Sequence, residues 1–271
     1  MNVCFEFREG DSPLLISVPH DGRSIPADIA RQMTPAALSI PDTDWYVAQL
    51  YGFCKELNVS MIVANYSRYV VDLNRSASDA ALYEGQVSTG LCPAKTFAGA
   101  DIYQDGKAVS DAEKERRVAD YWQPYHDQLD RRLQQLKKQF GYALLWDAHS
   151  IPSQVPSLFP GELPALNLGT NNGNSCPKQV RDAVAEIARS SSYSTAIDGR
   201  FRGGFITRNY GSPEKNQYAI QLELAQRSYM DEDSCTYDGP SAAQLTQTLR
   251  AMLLTFLAVS KPRQSVGIKH L

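Results

Sequence analysis

The stretch Tyr142-Ala143-Leu144-Leu145-Trp146-Asp147-Ala148-His149-Ser150 constrains the fold more than any other part of the chain. Before it, Val118, Trp122, Tyr125, Leu129, Leu133, Leu136 and Phe140 recur at helical spacing, and Gly141 suits the position just past a helix end. The stretch itself has the length of a strand, and Ile151-Pro152 turns the chain away from it. A short apolar run bounded by turn signals reads as a buried strand. Asp147 and His149 are two apart, so on a strand they share one face. Open α/β sheets keep their ligand sites at the carboxyl ends of such strands. A structural histidine at a strand end would look the same, so the reading depends on the rest of the chain.

Leu14 to Val18 reads as a second buried strand, and it runs into Pro19-His20-Asp21-Gly22. This is a second strand-end histidine, with a turn histidine as the alternative. Val3 to Phe7 suits an edge strand, and Ser60 to Ala64, Tyr69 to Leu73 and Leu163 to Leu168 suit further strands. Asp42-Thr43-Asp44 opens a helix carrying Val47, Leu50, Tyr51, Cys54 and Leu57, where acidic residues ordinarily cap or complement the dipole. Arg68, Asn74 and Arg75 flank the Tyr69 to Leu73 run. The guanidinium fork matches carboxylates, and ion pairs with Asp72 are the competing explanation.

Ser76 to Ser110 has weak periodicity and reads as a long excursion of the kind that forms lids and binding loops. Ser110 and Glu113 make a capping box for the next helix. Pro124 should kink that helix, its basic residues should form a solvated face, and His126 should sit at its flank. Asn171 to Ser175 is turn-like, and Pro177 suits the first turn of a helix carrying Val180, Val184 and Ile187. Arg200 and Arg202 lie in a loop, and Gly203-Gly204 leads into a strand through Arg208. Gln217 to Ala225 alternates: Tyr218, Ile220, Leu222 and Leu224 face one way, Gln217, Gln221 and Glu223 the other. Glu223 is thus a carboxylate inside an apolar strand, unless that face is the solvent side of an edge strand. The last helix should start near Ser241, and a tail should begin at about residue 261, with His270 idle within it.

The 271 residues, 43% of them hydrophobic, suffice for one large domain. A net charge of −3 without a basic block argues against nucleic acid as a partner. No apolar run approaches the ~20 residues that cross a bilayer, and Met1 to Gly10 lacks the apolar core of a secretion signal. Five scattered cysteines fit neither a disulfide framework nor a cysteine zinc site, and suit the reduced cytoplasm. The expected partner is therefore a small-molecule substrate; the oligomeric state is open.

Two strand-end histidines, an acidic pair, a strand carboxylate and several arginines form a set. Histidine and carboxylate ligands suit zinc, whose catalytic sites keep three protein ligands and one water. The segments Ser17 to Gly22, Asp42 to Trp45, Ser67 to Arg75, Trp146 to Ser150, Gly203 to Gly211 and Gln221 to Ala225 resemble those of the N-formylglutamate amidohydrolases. That family hydrolyses N-formyl-L-glutamate to L-glutamate and formate in histidine breakdown. The run from Arg68 to Arg75 is also similar to the substrate-gripping segment of aspartoacylases. The resemblance implies an α/β fold like that of zinc carboxypeptidases and aspartoacylases, a single domain over residues 1–271 with a mixed twisted sheet between helices. It implies zinc bound by His20, His149 and Asp44, with Asp42 as the other carboxylate to consider. It makes Glu223 the general base and Arg68 the group polarising the scissile carbonyl. Asn74 and Arg75 would hold a substrate carboxylate, with Arg202, Arg208 and Tyr210 as further contacts. Ala48 departs from the pattern, since many relatives carry an acid there. A related metal amidohydrolase acting on another N-acyl amino acid or short peptide, or a metal-free binder of an acidic metabolite, would use many of the same parts.

Overall fold

In the computed structural model, which describes residues 3–80 and 89–261, the Tyr142 to Ser150 stretch lies in a nine-residue strand buried along its whole length. The chain runs β1 (Phe5–Arg8), β2 (Leu14–Val18), α1 (Ala27–Ala30), α2 (Pro35–Leu38), α3 (Val47–Leu50), β3 (Ser60–Ala64), α4 (Asp111–Arg117), α5 (Gln123–Phe140) and β4 (Ala143–Ile151). It continues with β5 (Leu166–Gly169), α6 (Lys178–Arg189), β6 (Thr195–Ile197), α7 (Phe205–Tyr210), β7 (Gln217–Ala225), β8 (Met230–Asp231), β9 (Thr236–Tyr237) and α8 (Gly239–Val259). Seven strands form one mixed sheet in the order β1-β3-β2-β4-β7-β5-β6. The four central strands are parallel, while β1 and β5 run antiparallel to β3 and β7.

Alternation along the central strands separates two cores. Leu14, Ile16, Val18, Leu144, Trp146, Ile220 and Leu222 pack with α6 and α8 on one face. Leu15, Ala143, Leu145 and Ala219 pack with the α5 stripe Tyr125, Leu129, Leu133 and Leu136 on the other. Towards the carboxyl ends, the α5 face turns polar: Asp147 and His149 on β4 lie beside Gln221 and Glu223 on β7, with His149 in register with Glu223. The chain leaves β2 for β3 on one side, whereas β4 and β7 lie on the other. His20 and His149 straddle this change of direction, where open α/β sheets leave a crevice.

Several local expectations change. The Tyr69 to Leu73 segment is turns, not a strand. Its polar groups are satisfied without a ladder: Asn74 N–H donates to Asp72 Oδ1 at 2.8 Å at the end of the segment, and Arg117 Nη1, from 47 residues on, donates to the Val70 carbonyl at 3.1 Å. Gly203 to Arg208 leads into helix α7 rather than a strand. Asp42-Thr43-Asp44 precedes α3 as a braced loop, with Ile40 at φ 47° and Tyr46 at φ 63°. Positive φ at a β-branched residue is backbone strain held by the surroundings. The basic residues of α4 and α5 are not all solvated, since Arg117 and Arg132 are buried in bonds to carbonyls, hydroxyls and acids. Pro124 falls in the first turn of α5, just after a π-helical turn over Val118–Trp122. α8 starts at Gly239, because Asp238 rather than Ser241 caps it. The tail from residue 262, with His270, and residues 81–88 of the long excursion lie outside the described residues.

Candidate active site

His20 follows β2 and His149 lies near the carboxyl end of β4; both are buried, and each presents Nδ1 toward Asp44. The ligand-type atoms of His20, Asp44 and His149 lie within 4.8 Å of one another. Asp44 Oδ2 is 3.2 Å from His149 Nδ1 and 3.6 Å from His20 Nδ1, and it accepts the Ser150 N–H at 3.0 Å. Its other oxygen, Oδ1, takes a hydrogen bond from Arg68 Nη2. Asp44 N–H donates to the His20 carbonyl at 3.1 Å, fastening the strained loop to the end of β2. Asp42 turns away: its Oδ2 accepts the Tyr69 hydroxyl at 2.7 Å and the Phe97 N–H at 2.8 Å. Of the two aspartates, only Asp44 reaches the histidines.

The far nitrogen of each imidazole meets a carboxylate. His20 Nε2 lies 2.8 Å from Asp72 Oδ1. His149 Nε2 lies 3.2 Å from Asp147 Oδ2 and 3.1 Å from Asn74 Nδ2. The Asn74 NH2 can only donate, so a proton on Nε2 has Asp147 as its acceptor. A proton held on Nε2 leaves the Nδ1 lone pairs of both rings directed at Asp44, the outer-shell arrangement that orients metal-binding histidines. Asn74 makes its firm bond elsewhere, accepting the Ile206 N–H at Oδ1 over 2.8 Å. That bond caps α7 from 132 residues away in sequence.

The charge balance favours a cation. Burial by itself would raise the Asp44 carboxyl, but Arg68 and the two histidines outweigh it and hold it well below the usual carboxylate range. Burial would lower His149, yet Asp147 and Asp44 keep it well above its ordinary value. His20 Nδ1 is buried with no hydrogen-bond partner among the described residues. Two imidazole nitrogens and a carboxylate, one of them an orphaned donor atom, fit a divalent ion.

Glu223 lies beside this cluster at the bottom of a cavity and is buried; β7 is central, so its face is not solvent. Burial, with Asp44 and Asp147 adding to it against His149 and Arg68, pushes its carboxyl up to about 8. Gln221 Nε2 donates to Glu223 Oε2 at 3.3 Å, and Gln221 Oε1 accepts the Gly204 N–H at 2.6 Å. Three arginines line the cavity: Arg68, Arg75 and Arg200. Arg75 is held by the Asn74 carbonyl at 3.0 Å and Thr89 Oγ1 at 3.1 Å. Phe97, Ile151, Leu158 and Phe201 form an apolar wall.

The structure therefore gathers His20, Asp44, Arg68, Asn74, Arg75, His149 and Glu223 in one place. It does not bring Arg202, Arg208 or Tyr210 to the cavity wall. Arg202 is exposed, with Nε donating to the Gly199 carbonyl at 3.1 Å, and Arg208 Nε donates to the Gly203 carbonyl at 2.8 Å. The Tyr210 hydroxyl pairs with His126 Nδ1 at 3.0 Å. His126 is accordingly a buried tie between α5, α7 and the Leu73 carbonyl, not a flank residue. Asp72, Gln221 and Arg200 are participants that the sequence signalled only weakly. The face shared by Gln221 and Glu223 was the available clue for one of them.

A mixed α/β sheet with a buried two-histidine, one-carboxylate cluster at its switch point places side chains that could hold a metal ion beside a cavity lined by arginines. Residues 12–230 match the model of the N-formylglutamate amidohydrolase family. The chain is 45% identical to the N-formylglutamate deformylase of Pseudomonas putida over 258 residues, covering 95% of this chain and 96% of that protein. It is also 45% identical to the deformylase of the same name from Pseudomonas aeruginosa over 265 residues, 97% and 99% of the two chains. The chain belongs to the N-formylglutamate amidohydrolase family. Its fold is that of the N-formylglutamate amidohydrolase from Ralstonia eutropha JMP134, with a TM-score of 0.80 at 22% identity over 95% of this chain and 97% of that one. Among the described residues, no helix is long and apolar enough to cross a membrane.

Proposed function

We propose that this chain hydrolyses N-formyl-L-glutamate to L-glutamate and formate, with zinc held by His20, Asp44 and His149. The observation that carries the reading is the convergence of His20 Nδ1, His149 Nδ1 and Asp44 Oδ2 beside buried Glu223, in a cavity with three arginines. Zinc held there would supply Lewis acidity toward the formyl oxygen and an acidified water. Glu223 takes the proton of the attacking water and returns it to the amide nitrogen as the C–N bond breaks. A carboxyl raised by burial is suited to both halves of that transfer near neutral pH. Among the described residues, Arg68 Nε is buried without a hydrogen-bond partner while Nη2 holds Asp44, so a donor remains for the oxygen that gains charge. Arg75 grips a substrate carboxylate, and Asn74, its amide oxygen holding the Ile206 N–H and its NH2 lying 3.1 Å from His149, keeps Arg75 and the ligand histidine in one frame.

The reaction belongs to histidine degradation, and the five free thiols fit a reducing compartment, the cytoplasm. The reading is tested by assaying N-formyl-L-glutamate, N-formyl-L-glutamine and N-acetyl-L-glutamate on one preparation whose metal content is measured. The formyl diacid is expected to be cleaved best, with one equivalent of zinc per chain. Equal turnover of the three, or full turnover after metal is stripped, would overturn it.

A further inference from the structure

The cavity offers three guanidinium groups, and the proposed reaction engages two of them so far. Arg68 is committed to Asp44 and faces the metal cluster. N-formyl-L-glutamate brings two carboxylates, and each buried carboxylate needs a matching donor. Arg75 supplies one donor, and Arg200 is the remaining arginine on the wall.

We infer that Arg200 receives the side-chain carboxylate of the substrate, leaving the carboxylate next to the scissile nitrogen to Arg75; this rests on the deformylase reading. The two carboxylates differ in distance from the reacting carbon. The α-carboxylate sits on the carbon that carries the amide nitrogen and must stay close to the cluster. Arg75 adjoins Asn74, whose amide lies 3.1 Å from His149 Nε2. The γ-carboxylate lies two methylenes farther out. Arg200 stands against the apolar wall, with Nε donating to the Leu158 carbonyl at 2.8 Å and Cζ 5.6 Å from the Phe201 ring centre. Leu158 and Phe201 pack with the Ile151, Val155 and Phe159 cluster, which makes the wall firm. The methylenes would lie on that wall and end at a guanidinium already oriented by a backbone carbonyl. Arg202, two residues on, points to solvent and has no such position.

The test measures kcat/KM of wild type, Arg200→Met, Arg200→Lys and Arg202→Met on N-formyl-L-glutamate, its γ-amide N-formyl-L-glutamine and its α-amide N-formyl-L-isoglutamine. A lost charge-assisted bond corresponds to roughly ten- to a hundredfold. Arg200→Met is expected to lose about that factor on the diacid and on the α-amide. Its activity on the γ-amide should stay within about twofold, since no γ-charge is present to lose. Arg200→Lys should fall between, because ammonium keeps the charge without the fork, and Arg202→Met should behave as wild type. Uniform loss on all three substrates means a structural role and overturns the assignment, as does an Arg200→Met protein that keeps the wild-type preference. Calorimetric binding of L-glutamate against L-glutamine separates this from the activity itself. If wild type fails to turn over N-formyl-L-glutamate but Arg200→Met selectively weakens glutamate binding, the deformylase reading falls and Arg200 stands. If wild type turns over N-formyl-L-glutamate but binds glutamate and glutamine equally, Arg200 falls and the reaction stands.

Discussion

Glu223 and His126 are both buried polar side chains, and their surroundings give them opposite tasks. Glu223 opens into a cavity beside an ion cluster; His126 is closed in by Trp122, Tyr210 and the Leu73 carbonyl. Glu223→Gln keeps size and hydrogen-bonding shape but removes the proton acceptor. We expect a folded, metal-loaded protein whose turnover is down at least about a hundredfold, the cost of losing a positioned base. Near-normal turnover would return Glu223 to structure, and loss of metal would make it a ligand. His126 tests the opposite case. Burial pulls its imidazole from an ordinary 6.5 down to about 4. The unfolded chain therefore binds more protons than the folded one between those values, so the neutral-His126 contribution is complete above pH 6.5 and is lost as pH falls toward 4. At 1.36 kcal/mol per pKa unit the loss approaches roughly 3 kcal/mol. Denaturant titrations at pH 7, 5 and 4 on wild type and His126→Gln should show a shallower acid decline in the variant. Parallel declines would mean that other groups govern the acid limb.

Individual elements explain why the site residues hold still. Strands β2, β4 and β7 run parallel, so their carboxyl ends deliver His20, His149 and Glu223 to one edge of the sheet. The other site residues come from segments without regular pairing, pinned by side chains instead. Gly204 shows how tight that pinning is. A Cβ there would lie 2.3 Å from Asn74 Nδ2, the amide that contacts His149 and shares a side chain with the α7 cap. Gly204→Ala should therefore displace Asn74, lowering kcat/KM at least about tenfold and stability by ~1–3 kcal/mol, the usual range for overpacking. Gly199→Ala is the matched control, because its Cβ would meet Ala196 at an ordinary 3.5 Å. Equal behaviour of the two variants would remove Asn74 from the frame of the site.

At the scale of the molecule, two apolar cores, built on the strands and on α5, α6 and α8, flank the sheet. The fold does not hang on a metal as a small zinc domain does. Chelator-treated protein should keep its circular dichroism in the far and near ultraviolet. Zinc binding to the folded state alone then adds stability by mass action, ~2.7 kcal/mol at a hundredfold excess over Kd. For a domain of this size that corresponds to a rise in Tm of roughly 5–10 °C. Calorimetric scans with and without zinc check both points. Unfolding on chelation, or a Tm indifferent to zinc, would contradict them.

The sequence by itself determined the parts that depend on short-range pattern. Apolar runs in β2, β4 and β7, the α5 stripe and the alternation that turns Glu223 away from Leu222 all follow from the periods of strand and helix. Those periods also placed both histidines at strand ends before any contact was known. Tertiary structure alone decided which polar residues meet. Asp42 and Asp44 are two apart and chemically identical, yet one binds the Tyr69 hydroxyl and the other faces two imidazoles. Arg200 and Arg202 divide in the same way between cavity and solvent. The turns after Arg68 and the helix after Gly204 depend on backbone partners, Arg117 and Asn74, that lie far away in sequence. Local propensity has no access to such partners: a backbone segment adopts whichever conformation lets its polar groups find hydrogen bonds, and only the folded chain supplies those bonds.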